Sequence, residues 1–394
     1  MDRTGTAHRL TALRSFLLAA APVMVAVATA AAAIASAPGN TPPLTGDQLE
    51  GLAECTEALE TKHNPGIVAR QEGRKPYCFT KYLSDFDTRK VLVAPDRRVS
   101  MGVPRWVIQR VEPLQGGQGT AEAFARPSSW YTIPALAATQ QAPEDDSYRF
   151  SKKFREAHGN WYERGHLAQK YLSERPPEDD LVGRNPKLPD DAGSGWFTHN
   201  LANAVPQRAR FNKGPWLTLE CYTGAWANRY GGVWIVSGPI FLNGRPTEWM
   251  KSDRHKDAIP VAVPDALFKV VVRIKPMEDG TPGPEDGEKQ ALAFIYPQDS
   301  REYREKKAWN PAGYLTSLSQ VRRLTGVDIL QGQGAAFAGG PEAVPLNERP
   351  ADATPRETGG ASPVDSRNAI PLTIWQVERR DFDPSCRRFA PEQS

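Results

Sequence analysis

Charge of one sign is scarce in excess in this 394-residue chain: 49 Lys and Arg stand against 46 Asp and Glu, leaving +3. Setting aside residues 1–35, which hold Arg3, Arg9, Arg14 and Asp2, leaves about +1. Bulk electrostatics therefore single out no nucleic-acid partner, and any such surface must be local. Histidine (6) and cysteine (4) are few as well. No Cys-x-x-Cys pair or His-rich spacing occurs, so nothing supports a structural zinc site. His158 and His199 flank the motifs below without that company. No internal repeat is found. Pro (35) and Gly (32), in contrast, make up about 17% of the chain against roughly 12% in ordinary sequences. That argues against a helical bundle or coiled coil. With 40% hydrophobic residues, wholesale disorder is excluded.

The ends differ in composition from the middle. Arg3, Arg9 and Arg14 precede an uncharged stretch, Ser15 to Ala35, and small-residue cleavage patterns close it at Ala33-Ile34-Ala35 and Ala35-Ser36-Ala37. Residues 1–35 read as a secretory signal peptide, with an uncleaved membrane anchor as the rival. The expectation is export to the periplasm or the medium. Cys55, Cys78, Cys221 and Cys386 all follow this segment, and an even count in an oxidising compartment suggests two disulfides. Four cysteines allow three pairings; the reading leans to Cys55–Cys78 and Cys221–Cys386. Residues 36–50 read as a flexible lead-in and 51–331 as one domain. Residues 332–370 form a low-complexity loop without apolar period. The segment 371–394 is expected to return a strand, Leu372 to Val377, and a tail that pack on the domain.

Several runs read as buried strands: Val233–Gly238, Phe268–Ile274 and Ala291–Tyr296. Arg105–Val111 alternates, with Trp106, Ile108 and Arg110 on one face and Val107, Gln109 and Val111 on the other. One helix is expected from Pro215 to Gly231-Gly232, a second from Asn310-Pro311 to Leu324. Strands and helices do not alternate regularly, so the fold class is α+β.

Chemistry concentrates in three blocks: Glu163-Arg164-Gly165-His166, then Asn203-Ala204-Val205-Pro206-Gln207, then Asn212-Lys213-Gly214-Pro215-Trp216 through Glu220. His166 can take a proton from water near neutral pH. Arg164, two residues away in an extended segment, shares its face and could grip a phosphate. Asn212 stands at the mouth of a helix. Glu220, eight residues on, lies about 80° round and about 12 Å along, which suits water-mediated support of an ion better than a second direct bond. Magnesium fits such a site because it keeps several waters. Trp216 and Trp226 are read as core. From Arg149 to Lys213, 12 Lys and Arg stand against 8 Asp and Glu. The positive excess thus sits where a phosphate backbone would bind.

Glu-Arg-Gly-His, Asn-x-x-Pro-Gln and Asn-x-Gly-x-x-x-x-x-Glu, in this order, resemble the DNA/RNA non-specific endonucleases over roughly residues 80 to 331. The resemblance implies a ββα-metal (His-Me finger) fold, a central, mostly antiparallel sheet flanked by helices. It implies an Mg²⁺-dependent hydrolase of DNA and RNA that leaves 5′-phosphate ends, with Mn²⁺ able to substitute. His166 would be the general base and Asn212 the single direct ligand of one ion. Glu220 would act on it through water, and Asn203 would position His166 or substrate. Arg164, Gln207 and Lys213 would support or contact the substrate backbone, and Arg126 would face the phosphorane charge. The partners implied are DNA and RNA backbones; a homodimer and a protein inhibitor stay open. The family motif usually opens with Asp where Glu163 stands, and activity is expected to survive the added methylene. The alternative is a nucleic-acid-binding protein of the same fold that has lost turnover.

Overall fold

Apolar runs buried on both sides form the centre of the fold, because a strand covered on two faces has no polar side to alternate with. The computed structural model describes residues 55–89, 91–94, 97–114, 129–159, 161–173, 197–284, 286–298, 309–330, 336–337 and 375–391. The leader (1–35), the lead-in (36–50), Arg126, most of 332–370 and Leu372–Ile374 lie outside the described residues. In chain order the strands that matter here are β1 (Tyr77–Phe79), β2 (Tyr82–Phe86), β3 (Pro104–Val111), β4 (Tyr162–His166) and β5 (Ala204–Arg208). After these come β6 (Val233–Ile240), β7 (Ala266–Ile274), β8 (Lys289–Pro297) and β9 (Leu315–Thr316). The principal helices are α1 (Glu57–His63), α2 (Lys152–His158), α3 (Leu217–Tyr230) and α4 (Leu318–Thr325).

The main sheet runs β1-β2-β3-β6-β7-β8-β9, antiparallel throughout, and Ala336–Phe337 adds a parallel pairing to β8. Its long centre is in continuous register, from Trp234↔Val272 to Ile240↔Ala266 and from Ala266↔Pro297 to Ile274↔Lys289. Alternation along each strand divides two cores. Val107, Ile235, Leu267, Val271 and Phe294 face α3, while Trp106, Val236, Phe268 and Val270 face the α4 side with Leu318 and Val321. The expected α+β class and mostly antiparallel sheet are what the chain forms. Trp216 and Trp226 are fully buried in the α3-side core.

Of the two expected helices, one forms as read and the other does not. The helix expected from Pro215 begins there: in the Asn212–Trp216 turn that leads into α3 only Gly214 is non-helical (φ −111°, ψ −105°), and the helical path runs on through Trp216 (φ −65°, ψ −48°). It ends where expected, at Gly231 in the left-handed region (φ 76°). The helix expected from Asn310 breaks into a 3₁₀ turn (Pro311–Tyr314) and the short β9, which pairs with β8. α4 begins only where the Ser317 hydroxyl accepts from Gln320 N.

The two disulfides are Cys55–Cys78 and Cys221–Cys386, the pairing favoured above. The second ties the tail to α3. Trp375, Gln376 and Val377 are not a strand; the buried Trp375 instead accepts through its carbonyl from Trp226 Nε1 (2.9 Å). Tyr230 Oη donates to the Gln376 carbonyl (2.9 Å) and Asn228 Nδ2 to the Asp381 carbonyl (2.7 Å), so the tail lies along α3.

His63 makes the fold sensitive to acid. It is buried on α1, with Nε2 3.0 Å from the Thr80 carbonyl and Nδ1 accepting from Arg110 N (3.1 Å), so the ring must be neutral. Burial, reinforced by Lys62, Lys81 and Arg110, lowers its pKa from 6.5 to about 3, although the bond to Thr80 opposes the shift. Between those values the unfolded chain binds a proton that the folded chain refuses, so stability falls as pH falls through the window. The expected loss approaches about 1.4 kcal/mol per pH unit well below 6.5. Urea midpoints at pH 7 and pH 4.5 should therefore separate more for the parent than for His63→Gln. Equal separations would remove His63 from the acid response.

Candidate active site

The first two motif blocks form a two-stranded antiparallel ribbon, β4 against β5, with Glu163↔Gln207, Gly165↔Val205 and His166↔Ala204 in register. Gly165 is required by packing. A Cβ there would fall 2.0 Å from the Gln207 side chain, which lies fully buried against it. Strand alternation puts Arg164 and His166 on one face of the ribbon and Glu163 on the other. Trp216 Nε1 donates to the His166 carbonyl (3.2 Å), joining the ribbon to the start of α3.

Asn203 supports the chain just beyond His166. Its Oδ1 accepts from Ala168 N (2.7 Å), and its Nδ2 donates to the carbonyls of Ala168 (2.8 Å) and Thr198 (3.0 Å). The side chain is fully buried and bonded to backbone, so it holds the segment that follows His166. The His166 ring packs against Trp130 (centroids 4.6 Å apart) and His199 (4.9 Å), and Trp130 lies 4.9 Å from His199. His199 is buried in this trio; His158 stacks on Phe154 at the end of α2.

Arg164 shares a face with His166, but its guanidinium is engaged. Asp145 pairs with it at 2.5 Å, and the Tyr148 ring lies 5.4 Å away. Burial lowers its pKa and the Asp145 charge opposes that shift. Asp145 also accepts from Trp130 N (3.2 Å) and Arg149 Nε (2.7 Å), so one carboxylate seats both the Trp130 wall and Arg164. A phosphate reaching Arg164 has to compete with that carboxylate.

On the other face, the Glu163 carboxylate accepts from Asn212 Nδ2 (3.0 Å) and from Lys213 Nζ. A carboxylate paired with an ammonium offers only acceptors, so it must meet the nitrogen end of the Asn212 amide. The carbonyl oxygen is thereby the end left for a hard cation. Glu220, 8% exposed on the first turn of α3, sits in the field of the fully buried Lys269 of β7. Lys269 Nζ lies 4.3 Å from the Trp216 ring centre. Burial lowers its pKa to about 8 against the opposing pull of Glu220. An amide oxygen and a carboxylate, steadied by a buried cation, are oxygen donors of the kind Mg²⁺ takes. Among the described residues, three ligand-type side chains also converge at Cys55, Glu60 and Cys78, where both cysteines are consumed by their disulfide.

The structure thus brings His166, Arg164, Asn203 and Gln207 onto one ribbon, and Asn212, Lys213 and Glu220 onto the helix start beside it. Arg126 lies outside the described residues. Sequence reasoning missed Asp145, Trp130 and Lys269. Only Lys269 carried a signal, a lone charge within the otherwise apolar run Ala266–Val272.

Among proteins similar to this chain are "Nuclease EXOG, mitochondrial" of Homo sapiens and "Mitochondrial nuclease" of Saccharomyces cerevisiae. The first is 27% identical over 233 residues, covering 58% of this chain and 50% of that protein. The second is 24% identical over 292 residues, covering 70% and 78%. The chain spans about half the length of the EXOG relatives it matches. The solved EndoG/EndoGI complex is matched at 16% identity and a TM-score of 0.38 over 70% of this chain and 91% of that one. That score is too low to argue from. The relatives' names correct the expected export: these are mitochondrial nucleases, which points away from a periplasmic or secreted address. The physical reason for the misreading is that a basic, acid-poor, Ala/Ser-containing start fits an organelle transit segment as well as a secretory leader. Residues 86–336, well over half of the sequence, match the model of one family, and the chain belongs to it: the DNA/RNA non-specific endonucleases.

Proposed function

We propose that this protein is a metal-dependent nuclease that hydrolyses phosphodiester bonds of DNA and RNA with little sequence preference, leaving 5′-phosphate ends. The observation that carries the reading is the Glu163 carboxylate holding the nitrogen of Asn212, which turns the amide oxygen out as a cation ligand. On this reading His166 takes the proton of the attacking water, and Trp130 and His199 hold its ring in place. Asn203 fixes the segment that follows. Asn212 is the single direct protein ligand of one Mg²⁺, with Mn²⁺ able to replace it, and Glu220 acts through coordinated water. The ion, when bound, would stabilise the charge on the leaving 3′ oxygen. Gln207 holds the ribbon at Gly165. Lys213 and, in competition with Asp145, Arg164 meet substrate phosphates. Phosphate contacts carry no base information, hence the low specificity. Glu163 is no defect on this reading, because its longer side chain reaches Asn212 and Lys213 together.

A plasmid-nicking assay with and without chelator tests the reading against the binding-only alternative. Nicking that requires a divalent ion is expected. Binding without nicking across Mg²⁺, Mn²⁺ and Ca²⁺ would leave only the alternative.

A further inference from the structure

Beside Asn212 opens a groove of which the mechanism above uses only Lys213, at its lining. It has a volume of about 810 Å³, runs from Lys213 along the outer side of α3 past Tyr222, and is closed by Trp309 and by the tail at Arg388 and Phe389. Among the described lining residues none is Asp or Glu, while two are exposed cations, Arg388 and Lys213, the latter also paired with Glu163. Between them lie the half-buried rings of Tyr222, Trp309 and Phe389.

The groove is a built feature. Trp309 lies close against the turn that carries Asn212 because residue 214 is glycine; a Cβ there would fall 3.0 Å from the Trp309 ring. The Arg388 guanidinium lies 4.8 Å over the Phe389 ring, and Phe389 is 6.5 Å from Trp309. The tail wall is held by Cys221–Cys386 and by Phe382, which meets the Tyr222 ring edge-on at 5.0 Å.

We propose that this groove seats an unpaired nucleic-acid strand as it leaves the Asn212 end of the site. Its phosphates are met by Lys213 and Arg388 and its bases stack on Trp309, Tyr222 and Phe389. The inference rests on the nuclease reading and adds a strand preference to it. Aromatic platforms flanked by cations suit single strands, because every unstacked base offers a π-face whatever its sequence. In a duplex those faces are already stacked, so the rings gain nothing from it. A purely apolar occupant would leave the exposed Arg388 unmatched, whereas Lys213 keeps Glu163.

The test uses the full chain carrying His166→Ala, so that substrate survives. Anisotropy of a labelled 12-mer of deoxythymidine is compared with a duplex of equal length, in Mg²⁺. Adding Arg388→Ala or Trp309→Ala should weaken single-strand binding about five- to tenfold each, and duplex binding less than about twofold. Arg70→Ala removes an exposed cation, paired with Glu60 of α1, far along the chain from the groove lining and should change neither. Circular dichroism confirms that each variant folds. Unchanged single-strand affinity, or equal losses for both substrates, overturns the groove assignment. That failure is separate from failure of the nuclease reading, which shows as a parent chain, with His166 intact, that never nicks plasmid.

Discussion

His166→Ala should lower single-turnover cleavage by at least about two orders of magnitude, the usual scale of general-base catalysis. The substitution isolates chemistry from fold. The backbone of residue 166 is held by pairing with Ala204 across the ribbon and by its carbonyl, which accepts from Trp216 Nε1. Both survive truncation at Cβ. What is lost is the imidazole packed against Trp130 and His199. Affinity for oligonucleotide should change little, since a neutral ring adds little to phosphate binding. Cleavage within tenfold of the parent would remove His166 as the base and turn attention to His199, whose ring lies 4.9 Å away.

How much of this was legible in the sequence follows from how far apart the deciding residues are. β6, β7 and β8 were readable because each is a local apolar run ended by Gly, Pro or charge. The failed helix at 310–324 shows the limit. Pro311 does start a helical turn, but pairing of Leu315–Thr316 with β8 is a tertiary contact that no local propensity announces.

The site divides in the same way. His166, Asn212, Gln207 and Glu220 were singled out because their blocks keep fixed internal spacing. What modifies them comes from far along the chain. Asp145, which engages Arg164, lies 19 residues earlier in a 3₁₀ turn, and Lys269, which faces Glu220, comes from a strand 49 residues later. An arginine read as free to grip phosphate therefore proves to be shared, and a glutamate read as solvent-linked proves to have a buried counter-charge. The compartment failed for another reason: composition near an N-terminus reports that a segment is basic and acid-poor, without reporting which receptor reads it.

The metal assignment makes the second large expectation. Asn212→Ala should nearly abolish cleavage at practical Mg²⁺ concentrations and weaken Mg²⁺ binding measured by calorimetry. The loss has two parts. The amide oxygen disappears, and the Glu163 carboxylate that held the amide keeps only Lys213. Asn212→Asp distinguishes them: it restores an oxygen ligand but sets two carboxylates 3.0 Å apart where a donor met an acceptor, so recovery should be partial and should improve with Glu163→Gln. Glu220→Gln should retain partial activity and need more Mg²⁺ for half-maximal rate. An amide can still bond a coordinated water, but the carboxylate's charge is gone and Lys269 is left buried without it. The deciding measurement is the Mg²⁺ titration of binding and rate across these variants. If Asn212→Ala titrates like the parent while Glu220→Gln is inactive, Glu220 contacts the ion directly, and the Glu163–Asn212 clamp serves only the fold.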